Sequence, residues 1–255
     1  ILLLPFGVSL ARLAARILPE RKEEADTSMH LEFLHAGESG RETGIGQSAI
    51  ALDGIQKELL RMMSMAEQNV KDSFDAVQDG TTRLLRTVTE REEYIDFLNK
   101  EISKYISGVL AKETNPQTSR QISVLFKVCG NLERIGDHAM NICEYTRLME
   151  AKGISFSQAA REEIRSMQKI SLEAMENMKA IGESAGKDIG EIERMEQKID
   201  DMTEQYRTNQ MNRLHGGQCS DEACVLYSEM LTDFERIGDH ILNIGQEMGM
   251  GKVSA

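Results

Sequence analysis

The segment Glu-Arg-Ile-Gly-Asp-His occurs twice in this chain, at residues 133–138 and again at residues 235–240. Each copy is followed, after two further residues, by Asn-Ile. An identical segment repeated at this distance indicates an internal duplication. In a helix, the Glu and the Asp of each copy are four residues apart and therefore lie on one face. The repeat thus predicts two carboxylates on one helical face in each half of the chain.

A second pair of acids with the same spacing precedes each copy, namely Glu92 with Asp96 and Glu196 with Asp200. If the two acidic segments of a repeat lie on neighbouring antiparallel helices, facing residues are equally far from the turn. The turns then fall on residues 114–116 (Thr-Asn-Pro) and 216–217 (Gly-Gly), which are strong turn signals. Eight metal ligands are therefore predicted: Glu92, Asp96, Glu133, Asp137, Glu196, Asp200, Glu235 and Asp239.

The composition and the apolar periodicity predict helices throughout. Aromatic residues make up 5%, Trp is absent, and Pro116 is the one proline beyond Pro19. Apolar residues recur at steps of three and four in six long segments. We expect an all-α fold of two tandem antiparallel three-helix bundles, preceded by a short N-terminal amphipathic helix and a linker. The expected parts are a membrane-proximal helix and linker (1–46), a first bundle (47–153) and a second bundle (154–255).

The N-terminal region has a different character. The sequence begins with Ile1 instead of Met, so we expect a fragment or a processed product, and its apolar opening is followed by Arg12 and Arg16. This opening is too short to span a membrane alone but fits the last turns of a spanning helix that emerges on the cytoplasmic side. The alternative is an amphipathic tail that packs on this domain or on a second copy of it. The polar residues 19–46 predict a linker with a short helix around His30 to His35.

The charge of the chain limits its ligands. A net charge of −12 and a pI near 5.0 argue against a nucleic-acid partner, because phosphate backbones are bound by clustered Lys and Arg. Opposed carboxylates need protons or cations to neutralise them. Oxygen ligands suit Mg²⁺, Mn²⁺, Ca²⁺ or iron, and carboxylates also bind zinc. A single Glu-x-x-x-Asp is usually a solvated helix face, but four copies centred on two turns favour the metal interpretation.

Residues next to the acids have expected roles as well. A mid-helix glycine costs about 1 kcal/mol relative to alanine, so Gly136 and Gly238 indicate close approach of a backbone or an ion, the alternative being tight helix packing. We expect His138 and His240 to pack or to make contacts behind the ligands, and Arg134 and Arg236 to compensate charge or to lie at the surface instead of clamping a substrate.

The paired Glu-Arg-Ile-Gly-Asp-His segments and the upstream acid pairs resemble the PhoU family of phosphate-uptake regulators over about residues 48–250. The resemblance implies tandem three-helix bundles in which the eight acids hold iron or zinc clusters. It also implies a non-catalytic regulatory role. One departure is that Asn131 of the first repeat corresponds to Asp233 of the second, which predicts that the two sites are not equivalent.

The first 45 residues resemble the join between the membrane part of a sodium/phosphate cotransporter-related protein and its C-terminal PhoU-like domain. We therefore expect a metal-binding regulatory domain at the cytoplasmic face of the cell membrane. Its expected partner is a membrane transporter domain or a phosphate-signalling protein. Inorganic phosphate bound through the metal, and a homodimer, are left open. The alternative is a free-standing PhoU-type negative regulator of phosphate uptake and signalling.

Two further functions fit the sequence less well. A di-metal carboxylate enzyme of the ferritin type needs Glu-x-x-His on each of two helices, whereas His138 is five residues after Glu133. A purely structural oligomerisation module would leave the acids solvated. Both are less favoured than a metal-binding regulator.

Overall fold

A computed structural model describes residues 29–34, 45–183 and 189–253 of the chain. Within these ranges there are six α-helices and no strand, which confirms the predicted all-α class. The helices are α1 (Ile45–Asp79), α2 (Leu85–Leu110), α3 (Pro116–Lys152), α4 (Gln158–Glu183), α5 (Gly190–His215) and α6 (Asp221–Val253), with a short 3-10 helix (Thr82–Leu84) leading into α2. The predicted N-terminal amphipathic helix lies outside the described residues.

The ends of the helices follow the turn chemistry of the sequence. Gly80 after α1, Gly153 after α3 and Gly217 after α5 have φ values of 61°, 63° and 65°, a left-handed conformation that favours glycine. Asn115 caps α3 by accepting a backbone N–H at 2.9 Å, and Pro116 occupies the first turn. The turns predicted between the acidic segments are therefore present.

The helices form two antiparallel three-helix bundles, α1–α3 and α4–α6. The bundles lie side by side, because α3 packs along α6 and α1 packs against α4. Both bundles belong to one compact unit that starts at Leu31, and one cluster of buried apolar side chains runs through both. Among the helices in the described ranges, none combines the length and apolar character needed to cross a membrane.

The two acidic hairpins pack in the same way. A Cβ built on Gly136 would lie 3.3 Å from the Ile95 side chain, and a Cβ on Gly238 would lie 3.0 Å from Ile199. In both repeats the central glycine therefore faces the isoleucine that precedes the Asp of the upstream acid pair. The close neighbour of each glycine is an isoleucine, so the expectation of an approaching backbone or ion was wrong and tight helix packing is the reason for the glycine.

The predicted short helix around His30 to His35 is absent over the described residues 30–34. The backbone N–H of Phe33 donates to the Glu58 carboxylate of α1 at 2.7 Å instead of to a helical carbonyl. Leu34 is buried in the core of the bundle. This part of the predicted linker is therefore packed on α1.

Candidate metal centres

In the second bundle the structure brings three of the four predicted ligands together. Glu196 and Asp200 lie one turn apart on α5, and Asp239 faces them from α6. One oxygen atom from each of the three carboxylates lies within 4.8 Å of the others, and all three residues are half-buried. Three convergent carboxylates on two helices can supply one face of a metal coordination shell.

The environment of this group disfavours three simultaneous negative charges. Burial, followed by repulsion from Asp200 and Asp239, raises the pKa of Glu196. Burial, followed by repulsion from Asp239, raises the pKa of Asp200. A proton or a cation therefore stabilises the group, and a cation satisfies all three oxygens at once.

Glu235 is not part of this three-carboxylate group. It lies on α6 one turn before Asp239 and is half-buried. Its role as a ligand stays a prediction.

In the first bundle all four predicted ligands interact electrostatically. Burial raises the pKa of Glu92, and Asp137, Asp96 and Glu133 raise it further. Burial, and then Asp137, raises the pKa of Glu133, with an additional contribution from Asp96. The four acids therefore lie at one height between α2 and α3, as the spacing predicted.

The first group is more open than the second. Asp96 is exposed, and among the described residues no three acids of this bundle meet the 4.8 Å distance found in the second bundle. Burial also raises the pKa of Asp137, while Arg134, and then His138 and Glu92, oppose that rise. A bound cation would stabilise the ionised carboxylates of this group as well.

Two arginines pair with acids of the predicted sites. Arg134 lies 3.6 Å from Glu133 and 3.7 Å from Asp137, and Arg236 donates to Asp239 at 3.0 Å. Both guanidinium groups are more than half exposed. These contacts agree with the expected role in charge compensation.

The two histidines make contacts between the two bundles and lie outside the acidic groups. His138 Nδ1 lies 2.8 Å from Asp233 Oδ1, and His240 Nδ1 lies 2.9 Å from Asn131 Oδ1. The two imidazole rings stack with centroids 5.6 Å apart. The packing role expected for the histidines is confirmed.

Asp233 lies at the contact between the two bundles, a position that the sequence does not reveal. It is 6% exposed and accepts hydrogen bonds from Asn141 at 3.1 Å and from the Tyr145 hydroxyl at 2.6 Å, in addition to its contact with His138. The difference between Asn131 and Asp233 thus lies at the contact between α3 and α6. The repeat alignment located this difference, but only the tertiary structure shows what the two residues touch.

The comparisons with known proteins agree with this architecture. The family model of the PhoU domain matches residues 59–146 and 161–248, once in each bundle. The phosphate-specific transport system accessory protein PhoU homolog 1 of Thermotoga maritima is 26% identical over 197 residues, which cover 76% of this chain and 84% of that protein.

Solved structures share the fold. PhoU from Pseudomonas aeruginosa has a TM-score of 0.75 at 20% sequence identity, with 81% of this chain and 99% of that chain covered. The phosphate transport system regulatory protein PhoU from Streptococcus pneumoniae has a TM-score of 0.69 at 15% identity, with 82% and 98% covered.

The fold and the repeated acidic faces define a class of tandem three-helix-bundle proteins with a carboxylate group in each bundle. Because the PhoU domain matches both repeats and more than half of the chain, this chain belongs to the PhoU family.

Proposed function

We propose that this protein is a non-catalytic, metal-binding regulator of phosphate transport. The observation that carries the proposal is the convergence of Glu196, Asp200 and Asp239 within 4.8 Å at half-buried positions. Related proteins are named accessory or regulatory proteins of phosphate transport systems. A regulator whose bundles bind metal accounts both for the carboxylate group and for the names of the related proteins.

Metal binding at both acidic groups would neutralise carboxylates that the fold places close to one another. Glu92, Asp96, Glu133 and Asp137 would hold metal in the first bundle, and Glu196, Asp200 and Asp239, with Glu235 as a further ligand, in the second. All of these donors are carboxylates, which suit iron and zinc as well as Mg²⁺, Mn²⁺ and Ca²⁺. The metal would supply positive charge at a surface that is otherwise acidic.

That positive charge gives the protein a way to respond to inorganic phosphate. Without metal, the carboxylates repel a phosphate anion. With metal, the anion completes the coordination shell on the open side of the group. The regulator would then bind phosphate only in its metal-loaded form.

A free-standing accessory protein is the form best supported by the relatives, since the similarity extends over 84% of the Thermotoga maritima protein. Its partner would be a phosphate-signalling protein or the transporter, at the cytoplasmic face of the membrane. A second form is the same domain attached to the membrane part of a sodium/phosphate cotransporter-related protein. The apolar opening of the sequence followed by Arg12 and Arg16 favours this second form.

Calorimetric titration of the chelator-stripped chain with Zn²⁺ tests the proposal. We expect binding to be weakened by the double substitution Asp200→Asn/Asp239→Asn and retained in Glu176→Gln, which removes an exposed acid of α4. Phosphate is then titrated into the metal-loaded and stripped forms. Zn²⁺ binding that is unchanged by the double substitution would refute the metal site, and equal phosphate binding by both forms would refute the phosphate response.

A further inference from the structure

The segment Leu31–Leu34, called the strap below, fits into a notch on the first bundle. The notch is made by Gly54 of α1, where an added Cβ would lie 2.8 Å from Leu34 Cδ2 and 2.9 Å from the Phe33 carbonyl oxygen. Contacts below 3.0 Å require one of the partners to move. Only a glycine at this position leaves room for the strap.

The strap also donates a hydrogen bond to a buried carboxylate. Glu58, one turn after Gly54, is fully buried, and its carboxylate accepts the Phe33 N–H at 2.7 Å. Its other partner is Arg61, which donates through Nε at 3.0 Å and through Nη2 at 2.8 Å. A buried carboxylate that loses a donor is costly, so this bond favours the docked position of the strap.

Arg61 joins the strap to the helix that carries the first acid pair. Its Nη1 donates to Glu32 of the strap at 3.3 Å and to the Tyr94 hydroxyl at 2.9 Å. Its guanidinium carbon lies 5.2 Å from the centre of the Tyr94 ring. Tyr94 is on α2, midway between the predicted ligands Glu92 and Asp96.

The position of α2 determines the geometry of the first acidic group. Ile95, next to Tyr94, packs on Gly136 of α3 with little spare room. Metal ligation requires the donor atoms to lie within about 0.2 Å of their ideal distances. A small movement of α2 along α3 therefore changes how well Glu92 and Asp96 can bind a cation together with the acids of α3.

We propose that the strap is a conformational device that sets the metal affinity of the first acidic group through Glu58, Arg61 and Tyr94. This inference rests on the proposed metal binding and adds a means by which docking of the strap influences it. The bonds named above lie on the strap, α1 and α2, whereas the second group lies on α5 and α6. The two groups would consequently differ in their sensitivity to the strap.

The substitution Gly54→Ala in the full chain tests this inference, with Gly108→Ala as the matched control. Both changes add one methyl group to a helix, but a Cβ at Gly108 meets nothing within 4 Å. Hydrogen exchange at the Phe33 amide reports docking of the strap. Zn²⁺ affinity of the first group is measured by calorimetry in an Asp200→Asn/Asp239→Asn background, and that of the second group in a Glu92→Gln/Asp137→Asn background.

We expect Gly54→Ala to speed exchange at the Phe33 amide and to weaken Zn²⁺ binding at the first group by about fivefold, with the second group unchanged. Faster exchange with unchanged affinity at the first group would overturn the inference. A Phe33 amide that stays protected in both Gly54→Ala and the bulkier Gly54→Leu would overturn it as well. Absence of Zn²⁺ binding at both groups of the unsubstituted chain would instead overturn the proposed function.

Discussion

His138 of the first repeat and Asp233 of the second form a contact of 2.8 Å across the interface between α3 and α6. The equivalent residues of the opposite repeats, His240 and Asn131, form a contact of 2.9 Å. The interface is therefore built twice from the same motif, with an acid on one side and an amide on the other. This reciprocal arrangement holds the two acidic hairpins in a fixed relation to each other.

Removal of the Asp233 carboxylate should lower the free energy of unfolding more than removal of the Asn131 amide. Asp233→Ala leaves the donors of His138, Asn141 and Tyr145 without their shared acceptor, so we expect a loss of about 3 kcal/mol in the free energy of unfolding. Asn131→Ala removes one neutral partner of His240 and should cost about 1 kcal/mol. Urea denaturation of the two variants measures both values, and equal losses would contradict this description of the interface.

Replacing the glycine in the middle of each acidic motif by alanine is expected to destabilise the protein. A Cβ at Gly238 would meet two atoms of Ile199 at 3.0 Å, so we expect Gly238→Ala to destabilise the chain by about 1–3 kcal/mol. Gly136→Ala should cost less, because Ile95 lies at 3.3 Å. Gly108→Ala, which has open space, should stabilise the helix by about 1 kcal/mol.

A second substitution checks the cause. Ile199→Val shortens the side chain that the new methyl group would meet, so Gly238→Ala should cost less in the Ile199→Val background than alone. Thermal denaturation of the four forms provides the comparison. Additive losses would mean that the contact between positions 238 and 199 is not the source of the effect.

The hairpin architecture could be predicted from the sequence because its determinants are local. Repeated acid pairs at helical spacing and the turn around Asn115 suffice to place Glu92, Asp96, Glu133 and Asp137 at one height. The packing of Ile95 against Gly136 could not be predicted, because it is a long-range contact that periodicity does not encode.

Other features depend on partners that are distant in sequence. The strap was predicted as a linker because its polar neighbours hide the fit of Leu34 against Gly54, and the buried Glu58 has no local sequence signal. The contact between His138 and Asp233 joins residues of different repeats. Glu235 lies outside the three-carboxylate group of the second bundle although its spacing matches that of Glu133, a difference that only the tertiary structure shows.

Removing an acid from the second group should stabilise the metal-free protein but weaken its binding of metal. In chelator at pH 7, Glu196→Gln removes a charge that burial, and then repulsion from Asp200 and Asp239, disfavours, so we expect Tm to rise by about 2 °C. With Zn²⁺ present, the same variant lacks a ligand and should bind the metal about tenfold more weakly.

The pH dependence of the first effect follows from the raised pKa of Glu196. The folded state is penalised when this group is ionised, and the penalty disappears as pH falls and the group takes up a proton. The advantage of Glu196→Gln in chelator should therefore vanish at low pH. Glu176→Gln serves as the control, and a Tm change of the same sign with and without Zn²⁺ would contradict a metal site.

His240 should make the metal-free protein sensitive to acid. Burial, and then the neighbouring His138, lowers the pKa of His240 from 6.5 to about 4, although Asp239 acts in the opposite direction. Between these two pKa values the unfolded state binds the proton that the folded state excludes, so stability falls as pH decreases from 6.5 towards 4. Because the ring is only partly buried, we expect its contribution to be about 1 kcal/mol. In chelator, the unfolding free energy of His240→Gln should decline less over this range than that of the unsubstituted chain. Parallel declines measured by urea denaturation at pH 7, 5.5 and 4.5 would show that His240 ionises equally easily in both states.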